Sequence, residues 1–196
     1  MSDLIPLLQQ IENCTLCEQH LPLGPRPVVR ASASARILII GQAPGSKVHA
    51  SGIPWDDASG KRLREWLQTT DDTFYDASKI AIMPMGFCYP GKGKSGDLPP
   101  RPECAQQWHQ SLLEHMPNIE LTLLIGQYAQ QHYLRQNDFL TRHKTLTERV
   151  KHWQEAPQGY LPLPHPSPRN QIWLKKNPWF EQEVVSHIRS EVQRLL

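Results

Sequence analysis

The sequence predicts an α/β fold, three layers deep, with helices on both faces of a four-stranded parallel sheet. Three observations predict it. Four short apolar runs are bounded by turn residues: RILIIG at 36–41, KIAIMPM at 79–85, LTLLIG at 121–126 and YLPLP at 160–164. Amphipathic helical patterns lie between and after them. The chain has 196 residues, 39% hydrophobic and 20% charged, which suits one globular domain over 1–196.

Runs this short, apolar on both faces, read as strands covered on two sides, and that is the signature of a parallel sheet. In the helical segments, SGKRLREWLQ carries Leu63, Trp66 and Leu67 at helical spacing, and PECAQQWHQSLLEHM carries Cys104, Trp108, Leu112 and Met116. FEQEVVSHIRSEVQRLL closes the chain. The order is a helix, then strand and helix in alternation, which a parallel sheet requires. The least regular region is YPGKGKSGDLPPRP, a Gly, Pro and Lys loop at 89–102.

A net charge of +2 and a pI near 8.4 are too mild to announce a nucleic-acid partner. No apolar run is long enough to cross a bilayer, and the N-terminus has neither a basic region nor a small-residue cleavage site, so a cytoplasmic location is expected. Ligands of open α/β sheets bind beyond the carboxyl ends of the strands. The loops GQAPG (41–45), GFCYPGKG (86–93) and HPSPRN (165–170) are therefore expected to meet at one edge.

Cys14 and Cys17 form a C-x-x-C pair, with Cys88 and Cys104 far downstream. In a cytoplasmic chain this pattern favours a metal site over disulfides, the bland alternative being four buried thiols. The wide second pair suits an iron-sulfur cluster better than zinc, which remains the second choice. Taken alone, GQAPG is a strand-to-helix turn, HPSPRN a proline-stiffened turn with a surface histidine, and Trp55 a core residue.

Together these elements resemble the uracil-DNA glycosylase superfamily, closest to its iron-sulfur branch. The similarity rests on Cys14 and Cys17, GQAPG followed by GIPW (52–55), Cys88 and Cys104, and HPS (165–167), in that order. The resemblance implies DNA as partner, a monomer, and a structural [4Fe-4S] cluster on the four cysteines. It implies that His165 stabilises the departing base, and that Gly41 and Ala43 line the base pocket. Trp55 would stack on a flipped base. Pro166, Ser167, Arg169 and Asn170 would enter or hold the DNA, stiffened by the fixed φ of the prolines.

Two positions depart from the family pattern. Gln42 stands where the iron-sulfur relatives have the water-activating glutamate, so this catalytic position lacks a base. Asp57, or its neighbour Asp56, is the carboxylate expected to take over, although either would equally serve as cap of the following helix. Pro84 stands where relatives read uracil with an asparagine, so the substrate-binding contact there is lost. The expected activity is monofunctional excision of uracil or another modified base, including one of foreign or phage DNA. A catalytically silent protein that binds lesions or single strands is the alternative. A phosphate-binding α/β protein fits poorly, because neither glycine-rich phosphate motif follows the first strand.

Overall fold

A computed structural model of the chain describes residues 4–135 and 138–196. Its centre is a sheet of four parallel strands: β1 Ile37–Ile40, β2 Ile80–Ile82, β3 Leu121–Ile125 and β4 Tyr160–Leu163. Their order is β2-β1-β3-β4. The chain leaves β1 for β2 on one side and then crosses to β3 on the other, so the topological switch point falls at β1.

Side chains alternate across the sheet and divide the core in two. Ile37 and Ile39 face a layer that includes Leu63, Trp66, Leu67, Phe180, Ile188 and Val192, from the helices Ala58–Leu67 and Ser186–Leu195 and the turn before the latter. Leu38 and Ile40 face the opposite layer, with Leu4, Ile11, Leu112, Met116 and Ala129. The three-layer α/β architecture expected from the sequence is the one observed.

Two strands are shorter or less regular than the apolar runs suggest. In 79–85 the regular strand ends at Ile82, because Pro84 has no N–H to continue the ladder. Beyond it, Met85 N–H donates to Gly41 O (2.9 Å) and Gly86 N–H to Gln42 O (3.0 Å), tying the two loops together. On its other edge Ile82 pairs with Arg30 in an antiparallel bridge. Pro162 sits inside β4, where an edge strand tolerates a missing donor.

The segment 102–116 also departs from a plain helix. Pro102–Cys104 is helical, Ala105–His109 forms a wide π turn, and Gln110–Glu114 resumes the α-helix. The extra residue of such a turn re-aims the side chains around it. His109 is turned inward to 2% exposure, while Trp108 is only partly buried. Among the described residues no helix is long and apolar enough to cross a membrane.

Candidate active site

A pocket of about 480 Å³ opens beyond the carboxyl ends of β1 and β4. Its lining brings together Gly41, Gln42, Ala43, Trp55, Asp57, Pro84, His165, Ser167 and Arg169. Setting aside the alternative carboxylate Asp56, which is exposed outside it, all but two of the candidate catalytic, base-contacting and DNA-contacting residues therefore share one cavity. The exceptions are Pro166, which is buried beside it, and Asn170, whose Nδ2 donates to the His165 carbonyl (2.8 Å).

Trp55 is held in an unusual backbone state, with φ at +59°. That left-handed region is strained for a bulky residue. Two glycines, one before it and one after it in the chain, make room for it. A Cβ on Gly41 would lie 2.8 Å from Trp55 Cζ2, and one on Gly60 would lie 1.7 Å from the Trp55 carbonyl oxygen. The indole rests beside His165, with ring centres 5.6 Å apart and planes at 36°.

Asp57 does two things. Its Oδ1 accepts from Gly60 N–H (2.8 Å) and caps the helix Ala58–Leu67, and the same side chain lines the pocket. Among the described residues no hydrogen bond reaches Oδ2. Gln42 Nε2 donates to Leu98 O (3.2 Å), strapping the loop after β1 to the segment 91–98.

The loop carrying His165 is braced on every side. Leu163 O accepts from Gly126 N–H and from the fully buried Gln130 Nε2, each at 2.9 Å. Arg62 Nη1 donates to Ser167 O (3.2 Å). Ser167 Oγ accepts from Arg169 N–H (3.2 Å) and opens the turn Pro168–Asn170. Burial pulls the imidazole of His165 below its usual pKa, opposed by the carboxylate of Asp57. His165 is thus neutral around pH 7, with an N–H to offer.

Sequence reasoning brought the start of one wall, GFCYPGKG at 86–93, to this pocket and missed the rest of it. The irregular stretch 91–98 is a small hairpin: Lys92 and Asp97 pair across it, Gly93 N–H donates to Gly96 O (2.6 Å), and Leu98 N–H donates to Gly91 O (2.8 Å). Lys92, Ser95, Gly96 and Asp97 all line the cavity. Arg169 Nη1 reaches across to Ser95 O (3.3 Å) and closes the ring of loops. The glycines of GKGKSG were the available signal, but nothing in them says which way the hairpin leans.

The four cysteines line a second, separate cavity with Leu21, Pro27, Phe87 and Trp108, and none is in a disulfide. Burial and the neighbouring thiols push Cys88 up to about 11 and Cys104 up to about 12. Amide N–H groups of Arg26 and Phe87 are directed at Cys88 and Cys104 respectively. Such crowded thiols become thiolates only beside positive charge, which a bound metal group supplies. Among the described residues no set of three or more Cys, His, Asp or Glu converges on a point able to hold a single metal ion. Four thiol side chains facing one cavity are a soft donor set of the kind that binds zinc or iron-sulfur groups.

A family model described as the uracil DNA glycosylase superfamily matches residues 29–189. The span holds the whole sheet, all of the pocket lining but Val28, and Cys88 and Cys104, and leaves Cys14 and Cys17 before it. With most of its length so matched, the chain belongs to the uracil DNA glycosylase superfamily.

Proposed function

We propose that the protein is a monofunctional DNA glycosylase that hydrolyses the N-glycosidic bond of a flipped-out uracil or other modified base, of its own or of foreign DNA. The observation that carries this is the convergence of His165, Asp57 and Trp55 on one pocket beyond the strand ends.

Breaking the bond leaves a sugar with oxocarbenium character and a base carrying negative charge. A neutral imidazole N–H aimed at a base oxygen or nitrogen gains most as that charge develops. His165 supplies this donor, and burial keeps it neutral. The free oxygen of Asp57 positions the attacking water and faces the developing positive charge, while its other oxygen is fixed by the helix cap. Gln42 takes no proton and acts as the strap to the hairpin. The Trp55 indole is the stacking wall for the extruded base.

Pro166, Ser167, Arg169 and Asn170 present the rim to DNA. Their loop is stiffened by four prolines and held by Arg62, which resists the push of a base stack being opened. Cys14, Cys17, Cys88 and Cys104 hold a [4Fe-4S] cluster in a structural role, pinning the N-terminal segment and the base of the hairpin into one unit over 1–196. Gly91 fits this placement, since a Cβ there would lie 3.0 Å from Pro22 of that segment.

The commitment of one Asp57 oxygen to the cap favours a second reading, a silent relative that binds modified DNA without cleaving it. Mass spectrometry of the small-molecule fraction after incubation with base-modified oligonucleotides decides between them. Free base together with an abasic strand supports the glycosylase. Tight binding with no base released over long incubation supports the silent binder.

A further inference from the structure

Cys104 ends the short helix Pro102–Cys104, and Trp108 stands four residues later in the π turn Ala105–His109. Residues four apart on a helical stretch share a face, and both of these line the cysteine cavity. The indole of Trp108 is only partly buried, yet its Nε1 is shut off from solvent and has no hydrogen-bond partner among the described residues. A buried donor without a partner is costly, and folded chains rarely leave one so.

The wall of this cavity narrows the choice of partner. Apart from Trp108 and the four cysteines it consists of Leu21, Pro27 and Phe87, so its side chains offer an N–H nothing but sulfur. A buried water makes about three hydrogen bonds and would find too few of them here. The other donors around the cavity are each directed at one thiol. The amide of Arg26 is directed at Cys88, the amide of Phe87 at Cys104 (3.5 Å to Sγ), and the guanidinium of Arg101, ion-paired with Glu103, at Cys17. Trp108 Nε1 reaches none of the four thiols.

We infer that the indole N–H of Trp108 donates to a sulfur of the metal group that the four cysteines hold, and that the π turn after Cys104 aims it there. The inference rests on the [4Fe-4S] reading above. Groups just outside a metal's own ligands tune the site, and hydrogen bonds to the sulfurs are among the terms that set an iron-sulfur potential. A donor of this kind favours the form that carries more negative charge. Trp108 therefore raises the reduction potential and makes the sulfur harder to oxidise. π turns of a single turn are frequent at functional sites, which fits one placed directly after a ligand.

The test compares the parent protein with Trp108→Phe, which keeps an aromatic ring and removes the N–H. Both are purified without oxygen, and iron and sulfide are measured first. At a fixed potential the reduced-to-oxidised ratio is expected to fall about threefold to tenfold in the variant, about 30 to 60 mV for one electron. Bleaching in air is expected to quicken, with iron content before exposure unchanged. NMR of the indole N–H groups of the parent protein keeps the test independent of how the variant folds. One signal of the six tryptophans is expected to be shifted by iron and protected from exchange until the cluster is removed. Cluster-bearing protein whose potential and bleaching rate are unmoved by Trp108→Phe, with a raised thermal midpoint, would show that the N–H is an unpaired group and refute the inference alone. Six indole signals indifferent to cluster removal would do the same. Protein that holds zinc or no metal refutes the cluster reading and the inference with it.

Discussion

Replacing Gly60 by alanine separates this structure from any account in which Gly60 is only a helix residue. Helix propensity alone predicts a gain, since alanine in a helix is favoured over glycine by about 1 kcal/mol. Here the new Cβ would lie 1.7 Å from the carbonyl oxygen of Trp55, a backbone atom that no rotamer change can move aside. The clash forces the 55–57 turn away from the helix and breaks the bond from Gly60 N–H to Asp57 Oδ1. Loss of a cap costs about 1 kcal/mol and overpacking about 1 to 3 kcal/mol, so after the propensity gain the net loss is about 1 to 3 kcal/mol. For a chain of this size that lowers the thermal midpoint by about 3 to 10 °C. Calorimetry of Gly60→Ala beside the parent protein gives the answer, and base release should fall with it because Trp55 and Asp57 both move. A raised midpoint would refute the packing of Trp55 described above.

Other expectations follow from the same contacts. His109 is pushed down to about 4 by burial, against an ordinary value of 6.5, so it folds neutral and takes up a proton on unfolding. Its contribution is present above about pH 6.5 and lost as the pH falls toward 4, by about 2 kcal/mol at pH 5, and His165 adds to it with the same sign. Urea titrations at pH 7 and pH 5 should show a gap that narrows in His109→Gln. Arg169→Ala removes the tether to Ser95 O, so the Gly93 amide should exchange faster and DNA affinity should fall, read by hydrogen exchange and by salt-dependent binding. Protein purified without oxygen should be brown, absorb near about 400 nm and contain iron and sulfide, and Cys104→Ser should bleach it and lower its thermal midpoint. Colourless protein with stoichiometric zinc would contradict the cluster.

The strands were legible because each is apolar on both faces, and the rule that ligands bind beyond the strand ends then put GQAPG and HPSPRN on one edge. Trp55 and Asp57 joined His165 in the sequence reading only through the family resemblance. Three features were not legible. The left-handed backbone of Trp55 depends on space left by Gly41 and Gly60, which lie on opposite sides of it in sequence and meet only in the fold. The inward turn of His109 comes from a π turn, and the apolar spacing of Cys104, Trp108, Leu112 and Met116 reads as an unbroken helix. The hairpin has no apolar alternation in GKGKSGD. Its lean over the pocket is set by Gln42 and Arg169, far away in the chain, so Asp97 showed no sign of being a pocket residue.

The central claim is that His165 stabilises the leaving base in this pocket. Single-turnover rates of base release for the wild type and His165→Ala, with DNA affinity measured in parallel, test it most directly. The rate is expected to fall about a hundredfold to a thousandfold while affinity changes little, the mark of a contact made in the transition state. A His165→Ala variant that releases base at the parent rate would contradict the account.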